Sequence, residues 1–426
     1  MLVNRIRTFA VPLTVLLAVT GCSTGGGTGS TNHAKNAVSN QTIHQGGGTA
    51  NSVTGNSTAS RPLKGPNRTA VAKGFMPTAV QVIGTQQAYI AARNTLYETI
   101  DGGRDWTVNW SGQGQILKLD FENGVDGFAL VNKGQTQSGH LTDVQLWHTT
   151  DGGTTWSKIA DSSTMQLSSV PANAYFTVSF QNREVGIVTI TPLGGTKQSA
   201  SVLMTTDGGT TWTHTPLPSQ TAAAAFLSTG TGYALSHTGN TYSIDKTTDG
   251  GQSWTELKSI PLTRLMSARI QTFGSSSVWV MASRGQNMYQ ASYVLYRSTD
   301  SGASWTAIIN QHNAVNYGSS KPVGQPFATR GPGTIPVMLD PVSKTSAILL
   351  GASPARGQGQ SQIAKLNSNS VHILSHYFPG TKGWVLFLNS HAGWVVTGED
   401  GQPTHVYRTI NSGATWKLQF QFVPTG

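Results

Sequence analysis

The sequence predicts an all-β protein: a single seven-bladed β-propeller of four-stranded antiparallel blades, preceded by a disordered tether. Three observations carry this reading. A ten-residue phrase of the type "HTTDGGTTWS" recurs along the chain. Short apolar runs alternate with polar residues at a period of two, and no window sustains the 3.6-residue period of an amphipathic helix. The composition suits short strands and turns, with 49 glycines in 426 residues, only 11% charged residues, and abundant Thr, Ser, Val and Trp.

The N-terminus, "MLVNRIRTFAVPLTVLLAVTGCS", sets Arg5 and Arg7 before an apolar run from Phe9 to Val19. As a helix that run spans roughly 16 Å, about half of a ~30 Å hydrocarbon core, so residues 1–21 read as a secretion signal and not a permanent span. Val19, Thr20, Gly21 and Cys22 resemble the lipobox of bacterial lipoproteins. That resemblance implies cleavage before Cys22 and a lipid on its sulfur, which would hold the protein on the extracytoplasmic side of the cell membrane. Cys22 is the one cysteine, so no intramolecular disulfide forms.

Residues 22–74 are rich in Gly, Ser, Thr and Asn, the composition of a flexible tether with a root-mean-square reach of roughly 40 Å. The tether carries Lys35, Arg61, Lys64, Arg68 and Lys73 and no acid, which leaves 21 basic against 18 acidic residues in 75–426. Most of the formal charge of +10 therefore lies outside the head, and the high isoelectric point does not argue for nucleic acid. An anionic membrane or envelope polymer beside the tether is the nearer expectation.

Copies of the phrase place tryptophans at Trp106, Trp156, Trp212, Trp254, Trp305 and Trp416, with Asp101, Asp151, Asp207, Asp249, Asp300 and, in the last, Asn411 five residues earlier. The first four gaps are 50, 56, 42 and 51 residues and the last is 111, so a degenerate copy is expected between Trp305 and Trp416. "AKLNSNSVHILS" at 364–375 fits, giving seven units of about fifty residues, a propeller or solenoid period. In the second unit the alternation marks four strands, "ILKLDF", "GFALV", "VQLWHTT" and "TTWSKIA", with the phrase between the third and fourth. Closing such sheets into a ring leaves only short, protected edges. Within the phrase, the aspartate can accept backbone N–H groups further along the turn and glycine supplies positive φ. The tryptophan is carried into the sheet packing, where full burial of ~150–250 Å² contributes up to about 4–6 kcal/mol. The phrase is thus a structural joint and not a catalytic centre.

The pattern resembles the Asp-box, or BNR-repeat, propellers. The further phrase of glycine, aromatic and small apolar residues at 127–131, 232–236 and 393–397 is similar to the photosystem II stability and assembly factor family. The resemblance implies a non-enzymatic scaffold or assembly role; the expected partner is a protein or envelope polymer, and a monomer with no cofactor or metal is expected. Asn411 replaces the aspartate in the last box and the sixth box is lost, departures that leave the turn argument weaker for those two blades only. Sialidases share the box and are the enzyme alternative, along with a noncatalytic glycan-binding module. Their Phe/Tyr-Arg-Ile-Pro motif is absent ahead of the first box, and "ARIQ" at 268–271 is the nearest match, in the wrong place.

Other chemistry is sparse. Asp120 with Glu122, and Glu399 with Asp400, are the closest acid pairs outside the boxes, and each reads as a solvated edge pair. His372 and His376 lie about 13 Å apart on an extended strand, too far to share one zinc. Loops after the second and fourth strands share the face opposite the boxes, and the long insertions follow second strands. A partner is therefore expected on that face, with Lys133, Lys197, Arg284, Tyr289, Tyr293 and Arg356 as the candidate contacts.

Overall fold

The computed structural model describes residues 63–64 and 76–423, apart from 113, 169, 194–198, 240, 261, 263–264, 285–291, 311–330, 354–358 and 369. The signal segment, Cys22 and nearly all of the tether lie outside the described residues. The head is built as the sequence predicts, from seven four-stranded antiparallel sheets with no helix among the described residues. Blades 1 to 7 run over 79–111, 115–160, 174–214, 223–260, 265–310, 335–379 and 382–422. Strand order within each sheet follows the sequence. First strands of neighbouring blades pack together toward the axis. Blade 6 confirms the degenerate unit: strands Gln360–Leu366 and Val371–Pro379 are joined by a turn in which the Asn367 N–H donates to the Ser370 carbonyl at 3.0 Å.

Among the described residues no strand is exchanged between the first and last blades. The ring closes through side chains, with Tyr97 and Trp106 of blade 1 in one core with Trp394, Phe420 and Phe422 of blade 7. Trp106 meets Phe422 edge to face at 5.6 Å between centroids. Leu63–Lys64 adds a short fifth strand to blade 1, with Leu63 opposite Trp106 and Lys64 opposite Asp105.

A second sequence rhythm explains the blade interior. Phe121, Phe180, Phe226 and Phe387 end first strands, and Gly127, Gly186, Gly232 and Gly393 open the second strands six residues later. A Cβ on any of these glycines would lie within 2.6 Å of the phenylalanine ring, so the glycine is the seat of the ring. Each ring then meets the tryptophan of its own repeated turn edge to face, at 5.9 Å for Phe226 and Trp254. Trp106 and Trp212 are buried, whereas Trp156, Trp254, Trp305 and Trp416 are half-buried. The sequence places all six indoles in the sheet packing. The tryptophan opens the outermost strand, where four of the indoles keep one side toward solvent.

The turn itself is held by two side chains. In the second unit the Thr149 hydroxyl donates to Asp151 Oδ1 at 2.8 Å and accepts the Gly153 N–H at 2.9 Å, while Asp151 Oδ1 also accepts the Thr155 N–H at 2.9 Å. Gly153 sits at φ 91°. Ser301 and Ser412 take the first glycine position at φ 58° and 62°, while the second position stays glycine, at φ 94° in Gly302 and 77° in Gly413. Asn411 does not weaken its turn: Oδ1 accepts from the Thr409 hydroxyl and the Thr415 N–H, and Nδ2 donates to the Thr415 hydroxyl at 2.8 Å. An amide reproduces the acceptor that these bonds need and reverses only one donor.

Candidate functional site

Connections after first and third strands emerge on the face of the repeated turns, and those after second and fourth strands on the opposite face. In blade 2 the connection between Gly127–Asn132 and Val144–Thr149 is long and carries an extra pairing of His140–Leu141 with Val170–Pro171. Lys133 stands exposed on it, with Nζ 5.5 Å from the Trp147 ring. Trp147 forms a cluster with Trp110 and Trp156 in the seam between blades 1 and 2. An open depression of about 420 Å³ on the same face is lined by Arg93, Asn94, Gly114 and Gln115.

Of the other candidate contacts, Lys197, Tyr289 and Arg356 lie outside the described residues, and Arg284 is described only as the last backbone position of the strand Ser277–Arg284. Tyr293 is a correction. It is wholly buried, and its hydroxyl donates to the Pro332 carbonyl at 3.3 Å. Tyr293 is already inside the strand Ser292–Ser298 and faces blade 6, so it packs the interface instead of lining a loop.

The carboxylates are committed to the fold. Fifteen of the 18 acids accept side-chain hydrogen bonds from named partners. Asp105 also has a partner, and Glu122 and Glu184 sit in exposed turns. Asp120 accepts the Phe180 N–H of blade 3 at 3.1 Å, and Asp340 accepts the Phe387 N–H of blade 7 at 2.6 Å. Glu399 binds the Thr381 N–H and hydroxyl, and Asp400 pairs with Lys382. Buried Asp245 accepts from Ser236 and Ser243. Asp126 joins His148 and Arg183 at 2.7 Å each. Burial would raise its pKa, but those two partners outweigh burial and hold it below the ordinary value.

Sequence reasoning missed a row of side chains just before the repeated turns. Lys246 and Tyr233 of blade 4 both donate to the Ser301 carbonyl of blade 5, each at 3.1 Å. Tyr89 of blade 1 donates to the Gly152 carbonyl of blade 2. Arg297 of blade 5 reaches the Thr345 and Ser368 carbonyls of blade 6 at 2.8 and 3.0 Å, with its guanidinium 5.5 Å from the Trp279 ring. The signal was the aromatic residue in the glycine–aromatic phrase, paired across the strand with the residue ahead of the turn, as Tyr233 is with Lys246. His372 is exposed and His376 leans on Phe378 and Tyr407. Among the described residues no group of acids, histidines or cysteines could hold a metal ion.

No protein-family model matches the chain, and no curated protein does. Among solved structures it is similar to YCF48 bound to a D1 peptide, at 14% identity over 84% of this chain and 98% of that one, with a TM-score of 0.49. It is also similar to the uncharacterized protein lmo1340 from Listeria monocytogenes EGD-e, at 7% identity over 85% and 99% of the two chains and a TM-score of 0.48. An ancestral GH74 enzyme gives 14% identity over 84% of this chain and 48% of its own length, with a TM-score of 0.46.

Proposed function

We propose that the protein is a lipid-anchored, non-enzymatic Asp-box propeller on the extracytoplasmic side of the membrane. It serves as a scaffold or assembly module that presents the face opposite the repeated turns to a protein or envelope polymer. The observation that supports this is the state of the carboxylates: nearly all are engaged as acceptors for turns, strand ends and neighbouring blades. Glycoside hydrolysis generally calls for two carboxyl groups free to exchange protons or attack. Crosslinking the intact protein in its own cells should capture one recurring partner through the connection that carries Lys133, and Cys22→Ala should release the protein from the membrane fraction. Turnover of a glycan at ordinary enzyme rates would defeat the proposal.

A further inference from the structure

The residue just before the aspartate of the repeated turn is threonine in four copies, Thr150, Thr206, Thr248 and Thr299, and isoleucine in the first and last, Ile100 and Ile410. The turn asks nothing of that position. Its bonds come from the residues on either side, Thr99 and Asp101 in the first copy and Thr409 and Asn411 in the last. Ile100 and Ile410 are 73% and 71% exposed, the two most exposed large apolar side chains among the described residues. Ring closure makes blades 7 and 1 neighbours, so both project from adjacent blades on the face of the repeated turns.

Charge on that face is divided. Blades 6 and 7 contain three acids: Asp340 is buried on the Phe387 N–H, and Glu399 and Asp400 follow a second strand and so lie on the opposite face. On the face of the turns these blades carry Lys344, Lys365, Arg408 and Lys417, none in an ion pair with a described residue. Blades 2 to 5 keep an aspartate in every turn, and their Lys158 and Arg183 are paired with acids. At the seam, a Cβ on Gly102 of blade 1 would strike Arg408 Nη1, so the guanidinium of blade 7 lies against the first turn. Its Nε is buried without a hydrogen-bond partner. Burial, and after it the charge of nearby Arg104, hold Arg408 below its ordinary pKa. Two like charges thus stand together beside the two isoleucines, while Asp101 is occupied as the acceptor of its own turn.

We propose that this sector, from blade 6 to blade 1, docks on an anionic phospholipid bilayer. The two isoleucines enter the acyl boundary, and Arg104, Arg408, Lys365 and Lys417 meet headgroup phosphates. Two apolar side chains on separate turns offer too little continuous area for a protein interface, which takes about 800 Å² per partner, whereas cations around inserted apolar side chains suit a membrane surface. The chain that precedes the head arrives at the same place: Leu63–Lys64 pairs along the outer edge of blade 1, with Lys64 opposite Asp105 beside the first turn, and residues 22–62 contain no acid. Docking goes beyond the anchor proposed above and rests on it for bringing a bilayer within reach. It would leave the opposite face turned outward to a partner. Docking alone is weak, so a chain without the anchor still leaves washed membranes, whereas a tethered head meets the bilayer at an effective concentration on the order of millimolar.

The test uses the full chain with Cys22→Ala, which removes both acylation and the native thiol, and one bimane-labelled cysteine, in Ile410→Cys or, on the opposite face, in Gln402→Cys. Vesicles of phosphatidylglycerol and phosphatidylcholine carry a doxyl quencher in their acyl chains. Quenching at 410 is expected to saturate with lipid and to exceed that at 402 about threefold or more. Phosphatidylcholine alone, or about 0.5 M salt, should weaken it about tenfold. Lys365→Gln with Lys417→Gln should raise the half-saturating lipid concentration about tenfold, and Ile100→Ser about threefold or more. All three side chains lie at the surface, and circular dichroism checks that the variants fold. No quenching at 410, equal quenching at 402, or an unchanged lipid dependence in the variants overturns the proposal. So does a dimer in sedimentation velocity that Ile100→Ser dissolves, which would make the patch a contact between two copies. Retention of Cys22→Ala in washed cell membranes would count against the anchor and leave the vesicle result standing.

Discussion

Each repeated turn concentrates its energetics in one acceptor. The Thr211 hydroxyl, then the Thr211 N–H and the Thr205 hydroxyl, hold Asp207 at a pKa of about 2, and the equivalent serine and threonine groups do the same for Asp249 and Asp300. These folded values lie below the ordinary carboxylate value of about 3.9, so the stabilisation is complete above that pH and is lost as pH falls through about 2. The thermal midpoint should therefore decline between about pH 4 and pH 2. Asp249→Asn should remove its blade's share of that decline while keeping the midpoint at pH 7 close to the parent, because Asn411 already makes the same bonds. A midpoint flat across that window, measured by circular dichroism, would contradict this account. Gly232 gives a second prediction. Gly232→Ala drives a methyl into the Phe226 ring and should cost about 1–3 kcal/mol in denaturant melts, and Phe226→Leu in the same chain should restore part of it.

At the level of the blade, the missing sixth box is replaced and not merely tolerated. In the other six blades the N–H of the first glycine, or of the serine in its place, donates to a carbonyl one or two residues before the second strand, as Gly152 does to Val125 at 2.8 Å. The equivalent carbonyl in blade 6 is that of Thr345, and its donor is Arg297 from the preceding blade, also at 2.8 Å. Arg297→Met should cost about 1.5–3 kcal/mol, and Arg297→Lys should recover little, since one ammonium cannot span the Thr345 and Ser368 carbonyls in the same plane. Equal denaturation midpoints for parent and methionine variant would refute the role. This contrast marks what the sequence could disclose. The side-chain bonds of the turn are local, their partners all within five residues, so its copies were legible and gave the blade number. Arg297 acts on carbonyls 48 and 71 residues away, and Tyr293 packs on a blade not yet in place when its neighbourhood is read as text. Ile100 and Ile410 read as two scattered exceptions to a threonine, because only ring closure sets the first and last turns on adjacent blades.

Across the whole molecule, closure depends on the seam between blades 1 and 7, where no backbone ladder links the two sheets. Phe422→Ala should cost about 3–5 kcal/mol and should speed amide exchange in blade 1 as well as blade 7. Faster exchange confined to blade 7 would show that the ring is held elsewhere.

Because every blade is one uninterrupted stretch of chain, the order in which the blades are encoded is arbitrary with respect to the finished ring. Genes rearranged to start at 115 or 382, with 423 joined by a flexible bridge to 76, should specify the same molecule. A newly made chain can also complete each sheet as it emerges, leaving the meeting of its two ends as the last event of maturation.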